Sequence, residues 1–132
     1  VCSVPAPMPA LPPPAELAGF DAEMALERAS GDRDFLKLLM TEFVKSCAGT
    51  GDGIVHALAD GDLSKAGQLA HTLKGVAGNL GAMPLCRAAD ALLTAARQGN
   101  RDQAAAVSGE VVRLHRTAIA SAAAYAGIPI PA

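Results

Sequence analysis

Three times along this chain a glycine is followed directly by Asp or Asn between two stretches of apolar periodicity: Gly31-Asp32, Gly61-Asp62 and Gly99-Asn100. Glycine ends helices in the left-handed conformation, and an Asp or Asn side chain caps the helix that comes next. A chain punctuated in this way is constrained to helical hairpins. Asp21 caps a short first helix that runs through Met24, Ala25 and Glu27 to about Ala29. In the second, Phe35, Leu39, Phe43, Cys47, Ile54 and Leu58 stay in phase through Gly49-Thr50-Gly51-Asp52-Gly53, which predicts one long helix with a weak middle. The third opens at Asp62 and ends at Asn79-Leu80-Gly81. Pro84 suits the first turn of the fourth, which carries Leu85, Ala88, Ala89, Leu92 and Ala96. Asn100 and Gln103 form a capping-box pattern for the fifth. Its stripe is Ala104, Val107, Val111, Leu114, Ala118, Ala122 (with Ile119) and Tyr125, before Gly127 and Pro129 stop it. No strand interrupts the series. The expected fold is all-α: an antiparallel up-down-up-down four-helix bundle with a short additional N-terminal helix.

Composition supports this and narrows function. Of 132 residues 51% are hydrophobic but only 3% aromatic, so the core is built mainly of Ala and Leu, which suits close-packed helices. A net charge of −2 without a basic run argues against nucleic acid as a partner. Residues 1–16 hold six prolines, can form neither helix nor ladder, and read as an extended linker ahead of a domain over residues 17–128. A first residue of Val rather than Met makes the chain read as a piece of a longer protein. Cys2, Cys47 and Cys86 have no metal-like spacing. Cys47 and Cys86, inside apolar patterns, read as buried reduced thiols, which fits the cytoplasm. No apolar run approaches a membrane span of about 20 residues.

The third helix carries the chemistry. At about 100° per residue, Ala66, Leu69, Leu73, Val76 and Leu80 fall on one side. His71, Lys74, Gly75 and Gly78 fall on the other, with Gly67 and Gln68 one turn earlier. Each interior glycine costs about 1 kcal/mol relative to Ala, so three around one histidine need a reason. Steric clearance for something approaching the imidazole supplies one. A neutral imidazole is a competent nucleophile near neutral pH. If it takes up a phosphoryl group, the dianion needs a nearby cation, and Lys74 can supply it. The helix N-terminus is too distant for its dipole to contribute much. Gln68 could orient the ring or bind phosphoryl oxygens, or simply be solvated.

The run His71-Thr72-Leu73-Lys74-Gly75, followed by Gly78-Asn79-Leu80-Gly81, closely resembles the histidine-containing phosphotransfer (HPt) domains of bacterial phosphorelays. Gly19-Phe20-Asp21, Ala25-Leu26, Gly31-Asp32, Phe35, Leu38-Leu39, Phe43 and Gly61-Asp62 resemble the same family's helix starts and core positions, so the likeness runs from Leu17 to Tyr125. The resemblance implies a phosphoryl carrier, with phosphohistidine at His71, that relays phosphate between receiver-domain aspartates. It also implies a monomer with no kinase activity of its own, no bound cofactor and Mg²⁺ on the partner receiver. By the same likeness, the chain is the C-terminal domain of a bacterial hybrid sensor kinase, without direct membrane contact. In some members a polar residue about two dozen positions beyond the histidine bonds the ring. Leu93 stands nearest that place here, which leaves the ring without its usual orienting partner.

Other chemistries find little support. A bundle-core metal site would want Glu-x-x-His pairs, which are absent around His71. His115 lies at the edge of its stripe, where an ordinary amphipathic histidine is expected, and no CxxCH is present for covalent haem at His56 or His115. Asp21, Asp32, Asp62 and Asp102 all fall at helix starts, where capping or dipole effects explain them. No Walker-type loop is present. The competing classes are a module that docks onto receivers without carrying phosphate, and a cofactor-binding bundle.

Overall fold

The computed structural model describes residues 18–130. The linker assigned to residues 1–16, with Cys2, lies outside them, as does Leu17. The described residues form six helices: α1 (Ala22–Arg28), α2 (Arg33–Cys47), α3 (Thr50–Ala59), α4 (Leu63–Leu80), α5 (Met83–Arg97) and α6 (Arg101–Ala126). Each punctuation point behaves as its chemistry dictates. Gly31, Gly61 and Gly99 sit at φ of 76°, 74° and 69°. The Asp32, Asp62 and Asn100 side chains accept hydrogen bonds from the backbone N–H of Phe35, Lys65 and Gln103 at 2.9–3.0 Å. Asp21 caps α1 in the same way through Met24 N–H. Pro84 lies in the first turn of α5.

α2 and α3 together, α4, α5 and α6 form four rods in a ring: α4 packs on α5, α5 on α6, α6 on both α2 and α3, and α3 back on α4. α1 closes one end against α4 and α2. It is held there by the Asp21 N–H donating to Gly81 O at 2.8 Å. Gly81 has φ of 83°, and a Cβ there would lie 3.2 Å from Asp21 O and Ala25 N. Ser121 Oγ donates to Ala18 O at 2.7 Å and ties the entry to α1 onto α6. The core is short-chained: Ala70, Ala77, Ala89, Ala118 and Ala122 are fully buried beside Leu36, Met40, Leu73, Leu85 and Leu92. Phe20 packs against Phe43, edge to face with centroids 6.1 Å apart.

Three expectations are corrected. The second helix is interrupted at Ala48–Gly49, although both residues keep right-handed backbone angles and so make one broken rod. Its buried stripe is Leu36, Met40, Phe43, Val44 and Cys47, rotated from the expected one, with Phe35 46% exposed. His115, expected at an edge, is buried. Its Nε2 lies 2.6 Å from Cys47 O, one of the carbonyls that the end of α2 leaves without a helical partner. Nε2 therefore carries the proton and donates. A Cβ on Gly51 would lie 2.9 Å from His115 Nδ1, so the glycine at the start of α3 makes room for the ring. Periodicity could not reveal the break, because the apolar phase runs through it. Cys47 is buried and Cys86 half-buried, and both are free thiols. Burial pushes the Cys47 thiol pKa up, partly offset by a Thr50 side-chain hydrogen bond.

The ring and the glycine should be energetically coupled. His115→Ala should cost about 2–4 kcal/mol, from a cavity and an orphaned carbonyl. Gly51→Ala should cost about 1–3 kcal/mol by overpacking the ring. In the His115→Ala background the same Gly51→Ala change should be neutral or stabilising, and urea unfolding of the two singles and the double checks this.

Candidate functional site

α4 is an 18-residue helix, about 27 Å long, capped by Asp62 at one end and by left-handed Gly81 at the other. Its buried face is Ala66, Ala70, Leu73, Ala77 and Leu80, and Leu69 and Val76 flank it half-buried. The opposite face carries His71 at mid-helix, exposed, with Gln68 and Gly75 also exposed and Lys74 half-buried. The expected two-faced helix is therefore present. Among the described residues the His71 ring has no hydrogen-bond partner.

The three glycines divide in their roles. A Cβ on Gly75 would meet nothing within 4 Å, so the helix surface is open there. Gly67 is buried, and a Cβ there would lie 3.3 Å from Ala96 Cβ and 3.9 Å from Leu93 Cδ1. A Cβ on Gly78 would lie 3.4 Å from Cys86 Sγ. Gly67 thus serves the approach of α5 rather than access to His71, whereas a Cβ at Gly78 would make only an ordinary contact. That correction follows from where α5 lies, which the α4 sequence does not contain.

The register of the two helices follows from the same contacts. Gly67 faces Ala96, Lys74 faces Asp90 and Gly78 faces Cys86, so Leu93 stands across from His71. Leu93 is buried at 4% exposure and presents only hydrocarbon, as its assignment to the orienting position implies. Between the helices runs an open groove of about 620 Å³. α4 lines it with Ser64, Gly67, Gln68 and His71, and α5 with Leu93, Ala96 and Arg97.

Two charged residues here escaped sequence reasoning. Lys74 Nζ lies 2.9 Å from Asp90 Oδ1, with side chains 41% and 53% exposed, so the lysine beside His71 already holds an anion. An exposed pair of this kind is worth about 0.2–1 kcal/mol, weak enough to exchange partners. Arg97, in the last turn of α5, brings a second cation to the groove near Gly67 and Gln68. In sequence, Arg97 is an ordinary helix-end base and Asp90 a polar residue among alanines. Only the α4–α5 register brings them to the histidine.

The glycine roles separate experimentally. Gly75→Ala should stabilise the fold by about 0.5–1 kcal/mol through helix propensity. Gly67→Val should destabilise it by about 1–3 kcal/mol by forcing α5 outward. Chemical denaturation of both variants distinguishes them.

An exposed imidazole at mid-helix, beside an open groove and with two cations nearby, suits a nucleophile presented to another protein. Comparison with known proteins is consistent with that geometry. The family model for the Hpt domain matches residues 38–128. No curated protein and no solved structure is matched by the chain. With most of its length covered by that family, from α2 through the end of α6, the chain belongs to the Hpt domains, the helical phosphocarrier modules of two-component phosphorelays, which work with receiver domains and have no kinase activity of their own.

Proposed function

We propose that His71 is the phosphoacceptor of this Hpt domain and relays a phosphoryl group between receiver-domain aspartates. One observation carries the reading: His71 is exposed at mid-α4, beside the open side of Gly75, in a groove that also holds Arg97. His115 is buried and already donating to Cys47 O. His56 is exposed on α3, away from that groove.

The chemistry is an in-line displacement at phosphorus. A ring nitrogen of neutral His71 attacks the aspartyl phosphate, the N–P bond forms as the P–O bond to aspartate breaks, and the aspartate leaves as a carboxylate. The proton on the other ring nitrogen passes to solvent or stays, giving phosphohistidine or its protonated form. The receiver brings Mg²⁺ and most of the stabilisation of the transferring group, and this domain binds no cofactor. Here Lys74 offers a cation one turn beyond His71, Gly75 offers clearance, and Gly78 adds no side chain two turns on. Gln68 lines the same groove as His71 and offers an amide to orient the ring or bind a phosphoryl oxygen, and Arg97 adds a second positive charge. The domain acts as the phosphocarrier of a longer bacterial hybrid sensor kinase, facing the cytoplasm and working as a monomer. Among the described residues no helix is long and apolar enough to cross a membrane.

Transfer from a phosphorylated receiver with Mg²⁺ tests the assignment. The unaltered domain should acquire acid-labile, base-stable label, and His71→Ala should acquire none. Label that persists in His71→Ala moves the chemistry to another residue. An unlabelled domain that still binds receivers, tried with several of them, makes this a docking module.

A further inference from the structure

We infer that Asp90 is a positioning residue for the chemistry of His71: its carboxylate holds Lys74 from α5 and competes with a phosphoryl group on His71 for that ammonium. The inference rests on His71 being the phosphoacceptor. Lys74 stands one helical turn from His71 on the same face of α4. Its Nζ lies 2.9 Å from Asp90 Oδ1. Asp90 lies nearly one turn before Leu93, the residue opposite His71. Both partners are about half exposed, so water and ions can replace either one.

The competition follows from charge. With His71 unmodified and neutral, Lys74 and Asp90 cancel, and Arg97 is left as the charged residue that lines the groove beside the imidazole. Phosphorylation adds close to two negative charges one turn away. Lys74 is then drawn towards the phosphoryl oxygens, and Asp90 loses part of its compensation beside a new anion. Like charges at this range disfavour the ionised state that creates them. Asp90 therefore raises the free energy of phosphohistidine relative to histidine and biases the group towards onward transfer. Without it, Lys74 is free to pair with the phosphoryl group. No covalent step is added; only the balance between aspartyl phosphate and phosphohistidine moves.

The test is the equilibrium partition of phosphoryl between a phosphorylated receiver and this domain, with Mg²⁺. Because the ratio is set by the free species, altered docking changes how fast it is reached and not its value. The unaltered domain, Asp90→Asn, Lys74→Met and the double variant are compared, with thermal melts confirming that each is folded. Asp90→Asn should shift the partition towards phosphohistidine by about two- to fivefold, the scale of an exposed ion pair. The shift should shrink at high salt. In the Lys74→Met background the same substitution should shift it by less than half as much on a logarithmic scale. An unmoved partition in Asp90→Asn overturns the inference, as does an equal shift with and without Lys74. Either result leaves His71 as phosphoacceptor intact. Absence of label on the unaltered domain removes the reading of His71, and this inference falls with it.

Discussion

The close approach of α4 to α5 is the constraint on which the rest of this structure depends. Dispersion between packed side chains falls steeply with separation, so an alanine-rich core gains cohesion only if its helices come near one another. Gly67 against Ala96 makes that approach possible towards one end of α4, and Gly78 faces Cys86 towards the other. Between those points His71 stands outside the contact, above Leu93. The same small residues that stabilise the bundle leave a shallow groove beside the imidazole instead of a covered surface.

That arrangement suits a group that must be reached by a large partner. A buried nucleophile would need a channel, and one on a loop would need to be ordered on binding. A nucleophile at the middle of a long, doubly capped helix is held still by backbone hydrogen bonds and core packing, and its outer side stays open. The charges around it are equally economical. Lys74, one turn from His71, is already paired with Asp90. Arg97 enters the groove from α5, where it also complements the negative end of its own helix.

At the opposite side of the ring of helices, the break at Ala48–Gly49 is closed by a device of another kind. The Cys47 carbonyl, released from the helical ladder, is met by buried His115 from α6, and Gly51 makes room for the ring. One histidine of this chain thus works as a structural donor and another stands exposed. Burial and partners, not residue type, divide them. The opposite assignment would fail for each: His115 has no access, and His71 has no carbonyl to satisfy.

The sequence by itself determined the helices and where they turn. Capping and left-handed glycines act within four or five residues, so Gly31-Asp32, Gly61-Asp62 and Gly99-Asn100 could be read directly and appear in the structure as written. The two faces of α4 were legible for the same reason, since a 3.6-residue period is local. What the sequence could not decide was everything set by a neighbouring helix. The burial of His115, the role of Gly67, and the arrival of Asp90 beside Lys74 and of Arg97 in the His71 groove all depend on the rotation and register of α5 and α6. Those follow from how side chains of distant segments interlock. A helical repeat says which residues share a face, but only tertiary packing says what that face meets.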